Sequence, residues 1–274
     1  MSLSVVVCTH DRPADLRRCL AALAALEDAV EVIVVDSASR EPVAPVEDVR
    51  TIRLDEPGLS RARNAGVAAA TGDLVAFVAD DAAVAPDWAR RIAQAFADEA
   101  VGCVGGACLP VFVAERPRWL SERLLQYAGI TRFRERRDAV GRRDYPFGAN
   151  LCFRREALRE GFPEDLGRTA TELLSGEEVI AIDRVRELGY RVVLEPAAIV
   201  HHLVAPDRCR SSYFWRRLWW QGVTRARAEA SLRLTLKLLA ALPLRLALYA
   251  GTRDRMHVYR LAETAGYLRE LAAR

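Results

Sequence analysis

Short apolar blocks and polar breaks alternate along the first hundred residues. SVVVC (4–8), EVIVV (31–35), VRTIRL (49–54) and LVAFV (74–78) are blocks of five or six residues rich in β-branched side chains. Such blocks read as strands, and the most apolar of them as strands buried on both faces. The stretches between them have a helical period. From Pro13 to Leu26, apolar positions fall at Leu16, Cys19, Leu20, Leu23 and Leu26, with Asp11 placed to cap the start. Helices are also expected over Leu59–Ala70, ahead of a Thr71-Gly72 turn, and over Pro86–Glu99. A strand–helix rhythm of this kind predicts a parallel, doubly wound sheet.

From Val111 to Tyr145 the pattern breaks into aromatic and arginine-rich stretches, the signature of a long excursion or lid. Order returns at PFGANLCFRREAL (146–158). A helix follows over Glu177–Leu188, closed by Gly189, and then a strand, RVVLEP (191–196). Residues 211–274 read as wholly helical. Within them, Leu232–Ala250 is strongly apolar but interrupted by Arg233, Lys237, Pro243 and Arg245, too charged for a spanning helix. It suits either a helix hairpin packed on the body or a helix lying flat on a membrane. The expected division is therefore 1–205 for the α/β domain and 206–274 for a basic, amphipathic helical extension.

Composition adds little: 274 residues, 51% hydrophobic and 28% charged, fit an ordinary globular chain of one large domain, or one domain plus an extension. The chain opens directly on a strand pattern, so no leader is expected. Six scattered cysteines contain no CxxC pair and read as small buried hydrophobes. Charge is more telling. The net +3 is uneven: residues 206–274 hold 14 basic and five acidic side chains, a net +9, leaving −6 for the rest. An acidic body with a basic tail suits an anionic partner, although solvated helix faces explain it equally well.

The leading chemical candidates are Asp80 and Asp81, which end the LVAFV block. Ligands of open α/β sheets gather just beyond the carboxyl ends of the strands. Two carboxylates there form a hard oxygen site for Mg²⁺ or Mn²⁺; they would serve equally as caps of a following helix. Glu177 and Glu178 open a helix, where acids complement the dipole. Arg61 and Asn64 lie three apart and share a helix face, with Arg63 pointing elsewhere, to the surface. Arg216, Arg217, Trp219, Trp220 and Gln221 form a basic and aromatic cluster suited to phosphates and sugar rings, or to a plain amphipathic helix with a Trp stripe. The GxGxxG dinucleotide fingerprint is absent after the first strand, where CTHDRP stands. Gly102, Gly105 and Gly106 suit a bulge as well as a phosphate loop.

SVVVCTHDRPADLRRCL, VIVVDSAS and EPGLSRARNAGVAAATGDLVAFVADDAAVAPDW, followed by GANLCFRREAL, SGEEVIAIDRVRELGYRVVLEPAAIVHH and YFWRRLWWQGVTRA, together resemble the family two inverting nucleotide-sugar glycosyltransferases. The resemblance covers about residues 3–227 and rests on the order and spacing of the motifs. It implies a GT-A-like (Rossmann-like) α/β fold: a mixed, mainly parallel sheet flanked by helices, with a C-terminal helical extension.

By the same resemblance, Thr9, Asp36, Arg61, Asn64, Asp80, Arg216 and Arg217 bind the nucleotide sugar. Thr9 and Asp36 would hold the nucleoside, Arg61 the diphosphate, and Asn64 would orient the acidic loop. Asp36 has an alternative as a helix cap. Asp81 and His202 are the implied metal ligands, with Mn²⁺ or Mg²⁺ as cofactor; an imidazole favours Mn²⁺. Glu178 is the implied base, with Glu177 as the fallback. Gly148, Asn150 and Trp220 are carried over to the acceptor site. The family pattern acid–any–acid is broken by Ala79, which leaves the metal requirement open. The expected partners are a nucleotide-sugar donor, with UDP as the carrier the resemblance favours, and a glycan, lipid-linked or small-molecule acceptor, with no nucleic acid. A homodimer and peripheral membrane contact through the C-terminal helices also fit, as does a cytoplasmic place at the inner face of the membrane. Two other readings stand beside this one: a sugar nucleotidyltransferase, which would want a glycine-rich basic loop where CTHDRP stands, and a nucleotide-sugar-binding protein with a degraded site.

Overall fold

The computed structural model describes residues 1–131, 135–139, 145–169 and 172–274. Nine strands form one mixed sheet: β1 (Leu3–Thr9), β2 (Glu31–Ser37), β3 (Val49–Leu54), β4 (Leu74–Val78), β5 (Ala82–Val84), β6 (Val101–Phe112), β7 (Arg137–Asp138), β8 (Asn150–Arg154) and β9 (Arg191–Val204). The helices are α1 (Pro13–Ala24), α2 (Leu59–Ala69), α3 (Trp88–Ala95), α4 (Glu122–Leu125), α5 (Glu177–Glu187), α6 (Ser211–Glu229), α7 (Leu232–Thr252) and α8 (Arg255–Ala272). The strand order is β3-β2-β1-β4-β8-β6-β9-β5, with β7 beside β9. Pairing is parallel from β3 to β4, as the strand–helix rhythm predicts, and antiparallel where β8 joins β4 and β6. The excursion expected over Val111–Tyr145 includes residues 132–134 and 140–144, which lie outside the described residues.

The chain divides into two compact units. The first comprises Met1–Val111, Gly129–Ala170 and Glu177–Leu203. Its sheet buries both faces, because alternate residues of each strand point to opposite sides. Val5 and Val7 pack with Leu16, Leu20 and Leu23 of α1 and Trp88 and Ile92 of α3. Val6, Ile33 and Phe77 pack with Ala62 of α2 and Ile182 and Val185 of α5. Double-sided burial is why β4 is apolar at all five positions.

The second unit joins Phe112–Ala128 and Thr171–Gly176 to Val204–Arg274, two contributions from earlier in the chain that C-terminal position alone does not indicate. Its centre is the pairing of α6 with α8. Gly222 and Gly266 allow close approach there, since a Cβ at either would fall about 2 Å from a backbone oxygen of the other helix.

Several local expectations are corrected. Asp11 does not cap α1: it has a positive φ of 55°, and its carboxylate instead accepts from Arg40 N at 2.8 Å and Arg40 Nε at 2.9 Å. No helix follows Asp81, so the capping alternative falls; β5 begins at the next residue. The glycines at 102, 105 and 106 lie within β6 and form no phosphate loop. All six cysteines are free, and burial pushes the Cys8 and Cys108 thiols up to about 12, so both stay protonated.

Asn150 explains one of those glycines. It is fully buried at the start of β8. Its Nδ2 donates to the carbonyls of Ala107 (3.0 Å) and Ala198 (2.8 Å), and its Oδ1 accepts from Trp88 Nε1 at 3.0 Å. One side chain thus ties β6, β8, β9 and α3, and a Cβ at Gly106 would fall 2.1 Å from its nitrogen. Both amide hydrogens are thus spent on carbonyls in a residue sealed from solvent, and Asn150 braces the fold. Asn150→Ala leaves Trp88 Nε1 and two carbonyls without their partner. Chemical denaturation should show a loss of roughly 3 kcal/mol, and an unchanged midpoint would contradict the bracing role.

Candidate active site

Parallel register assembles the acidic edge. Thr9 of β1 lies opposite Asp36 of β2, and Val6 lies opposite Phe77 of β4, so Asp80 follows β4 at the level of Thr9. Thr9 Oγ1 donates to Asp80 Oδ2 at 2.9 Å, with both residues buried. Asp81 is held from another direction. The antiparallel pairing of β5 with β9 sets His202 opposite Ala82, and Leu203 N donates to the Asp81 carbonyl at 2.9 Å. His202 Nε2 then lies 3.0 Å from Asp81 Oδ1. Strand alternation buries His202 and exposes His201. His202 Nδ1 is buried and has no hydrogen-bond partner.

The outward oxygens of the two aspartates converge. Arg12 Nη1 donates to Asp80 Oδ1 at 3.2 Å and to Asp81 Oδ2 at 3.1 Å. The arginine side chain is 43% exposed, whereas those of the aspartates are 8% and 7% exposed, so it covers the pair from the solvent side. Burial pushes the Asp80 carboxyl above its ordinary range; Arg12 opposes that rise and the Asp81 charge adds to it. Among the described residues, no three His, Cys, Asp or Glu side chains form a ready-made metal cage. The donor set nevertheless fits a divalent ion: two carboxylates and an imidazole are adjacent, and one oxygen of each carboxylate already meets a cationic nitrogen. Arg12 stands outside the set expected from sequence. Its signal was a basic side chain three residues beyond Thr9, in the loop at the carboxyl end of a central strand.

Asp36 is 1% exposed. Its Oδ1 accepts from Ser39 N at 2.8 Å, and its Oδ2 from Val43 N at 3.2 Å and Arg53 Nη1 at 2.6 Å. Burial favours its neutral form, but the hydrogen bonds from Ser39, Val43 and Arg53 hold it below the usual carboxylate range. No helix starts here, so the capping alternative for Asp36 is corrected: the side chain organises a loop. Arg53, also absent from the expected set, stands opposite Asp36 in the parallel register.

Helix α2 inverts the reading of its arginines. Arg63 is buried, not at the surface, and its Nη1 donates to Glu177 Oε1 at 2.7 Å. Its guanidinium carbon lies 5.1 Å from the centroid of Phe162 and 5.8 Å from that of Phe77. A Cβ at Gly148 would come within 2.1 Å of Arg63 Nη2, so the glycine makes room for this arginine. Arg61 is the surface residue, ion-paired to Glu56 and Glu164. Asn64 does not reach the acidic loop after β4. It brackets Phe162 instead, accepting from its N–H at 2.7 Å and donating to its carbonyl at 2.9 Å.

Glu177 and Glu178 form a coupled pair. Burial and the Glu178 charge push Glu177 above its ordinary range. Burial opposes ionisation of Glu178 too, but the field of Arg63 and the neighbouring Glu177 carry it below its ordinary range. Glu177 Oε2 and Glu178 Oε2 are both buried with no hydrogen-bond partner.

In the second unit, Arg216 is exposed on α6 and Trp220 is half-buried. Arg217 is buried, and its Nη1 donates to the Leu173 carbonyl at 3.2 Å. Ser175 Oγ donates to Gln221 at 3.1 Å, and Ser175 N to Thr224 Oγ1 at 3.2 Å, so this face of α6 fastens the segment 172–176.

Comparison with known proteins bears on this geometry. The chain is 28% identical over 243 residues to the glucosyl-dolichyl phosphate glucuronosyltransferase of Haloferax volcanii, covering 82% of this chain and 76% of that protein. It is 27% identical to the succinoglycan biosynthesis protein ExoM of Rhizobium meliloti, over 84% and 76%. In fold it is similar to the mannosyltransferase PcManGT from Pyrobaculum calidifontis, solved in complex with GDP-Man and Mn²⁺, with a TM-score of 0.62 and 19% identity over 97% of this chain and 86% of that one. It is also similar to S. aureus TarS 1–349 in complex with UDP, with a TM-score of 0.54 and 17% identity over 97% and 89%. These neighbours share the mixed, helix-flanked GT-A sheet. The family model described as Glycosyl transferase family 2 matches residues 4–162, more than half the sequence. With that match and its curated glycosyltransferase relatives, the chain belongs to glycosyl transferase family 2, as a nucleotide-sugar glycosyltransferase.

Proposed function

We propose that the chain is an inverting transferase that moves a glycosyl group from a UDP-linked sugar to a hydroxyl of a lipid-linked acceptor. The observation that carries this reading is the convergence of Asp80 and Asp81 on one cationic nitrogen at the carboxyl edge of the parallel strands. Two buried carboxylates turned toward the same point suit the charge of a metal-chelated diphosphate. The UDP complex of TarS and the dolichyl phosphate substrate in the name of the Haloferax relative support the choice of donor and acceptor.

Asp81 and His202, with Asp80, would hold Mn²⁺ or Mg²⁺, which when bound supplies positive charge to the departing diphosphate. Thr9 and Asp36 border the nucleoside position. Arg12, freed from the aspartates, has the reach and the fork to follow a phosphate. Glu178 takes the proton of the acceptor hydroxyl as that oxygen attacks the anomeric carbon from the side opposite the leaving group. One displacement needs one base and no protein nucleophile, and inversion follows. Arg63 is a positioning residue in this reading: it anchors Glu177, and its charge keeps Glu178 ionised.

Three measurements test this. Asp81→Ala should abolish the Mn²⁺-dependent part of UDP affinity in titration calorimetry; full retention would remove the metal role. Glu178→Gln should keep UDP affinity and lose transfer by roughly 10²–10⁴-fold, and the same loss in Glu177→Gln instead would reassign the base. Arg63→Met removes a positive charge that lowers the Glu178 pKa, so that pKa rises. The acid limb of the kcat/KM profile should then move to higher pH, and Arg63→Lys should bring it back. A lowered rate with an unmoved limb in Arg63→Met would mean that Arg63 only holds the fold.

A further inference from the structure

Helix α7 is amphipathic in the reverse of the usual sense. Leu232, Leu236, Leu244 and Leu246 are 75%, 58%, 60% and 53% exposed, and Leu238 is the buried residue of its 21. Leu232, Leu236, Leu239, Pro243, Leu246 and Ala250 follow one another at alternating steps of four and three, which lines them along one stripe. The side facing α8 carries the polar contacts. Thr235 Oγ1 lies 3.2 Å from the Tyr267 hydroxyl, and Arg245 Nη1 donates to the Arg260 carbonyl at 2.9 Å and to Thr264 Oγ1 at 2.8 Å.

Length and mean hydropathy, 1.4, would let α7 cross a bilayer. Its packing argues otherwise. The Arg245 bonds and the burial of Leu238 against Ala226 and Tyr267 bind it lengthwise to α8. Helix α8 carries Glu263, ion-paired to Arg225 and Arg260, and Glu270, ion-paired to Arg227. Hydrocarbon would have to admit those charges along with α7, at high cost. A helix held this way lies in the plane of an interface, with its free stripe down.

Charge selects the occupant. No acidic residue occurs between Leu232 and Thr252, while Arg233 and Lys237 are exposed beside the leucine stripe. A second copy of this helix would bring like charges together, with no acid to answer them and with Pro243 in the seam. Anionic headgroups over an acyl layer complement both features.

We infer that α7 docks flat on an anionic lipid bilayer through its leucine stripe and the flanking Arg233 and Lys237. This is independent of the catalytic reading. Flotation of the full chain with vesicles of phosphatidylcholine plus phosphatidylglycerol tests it. The wild type should float with these vesicles, float far less with pure phosphatidylcholine, and be released by high salt. Leu236→Glu/Leu246→Glu should lower binding at least about tenfold while leaving the thermal midpoint and UDP affinity unchanged. Arg233→Gln/Lys237→Gln, which keeps the stripe intact, should weaken binding to the anionic vesicles alone. Equal flotation of the wild type and the leucine variant would overturn the inference. So would retention on vesicles through alkaline carbonate, which marks a spanning helix. A wild-type dimer that dissociates in the leucine variant, without vesicle binding by either, would assign the face to a second copy.

Discussion

Buried carboxylates need cations, and that requirement shapes the active edge of this protein. Asp36, Asp80, Asp81 and Glu177 are all nearly sealed from water, where an unpaired charge would be prohibitive. Each is answered by a group from a different element: Asp36 by Arg53 of β3, the Asp80–Asp81 pair by Arg12 ahead of α1, Asp81 also by His202 of β9, and Glu177 by Arg63 of α2. The pairings cross-link strands and helices far apart in sequence. They leave the acids aligned, and partly charged, where a polyanionic ligand with its own cation can exchange for an arginine.

That arrangement divides the acids by availability. Glu177 is bound to a buried arginine beside Phe77 and Phe162, whereas the arginine over Asp80 and Asp81 is half open to solvent. The first pairing is a strut; the second is a cover. Exposure of the cation, more than strength of the ion pair, separates an acid that shapes the site from one that can meet a ligand.

Much of the architecture was legible because it depends on local periodicity. The blocks at 49–54 and 74–78 are the observed β3 and β4, and the helices at Pro13, Leu59 and Glu177 begin where spacing placed them. What was less legible depends on pairing between distant segments. The three-residue strand β5 is too short to show a period, yet its register with β9 brings His202 to Asp81. Arg63 read as a surface residue because its burial needs Gly148 and Glu177, 85 and 114 residues away along the chain. Arg53 was recoverable: aligning the ends of two recognised parallel strands sets it opposite Asp36. The bracing role of Asn150 was not legible because its partners Trp88, Ala107 and Ala198 lie 43 to 62 residues away along the chain.

The hydrogen bond from Leu203 N to the Asp81 carbonyl has a consequence of its own. It ties the backbone of Asp81 to a fourteen-residue strand, so Asp81 cannot shift without opening a rung of the β5–β9 ladder. The Leu203 amide is therefore a built-in reporter: its deuterium uptake follows the breathing of the edge strand that carries the acid, and slows when something clamps it.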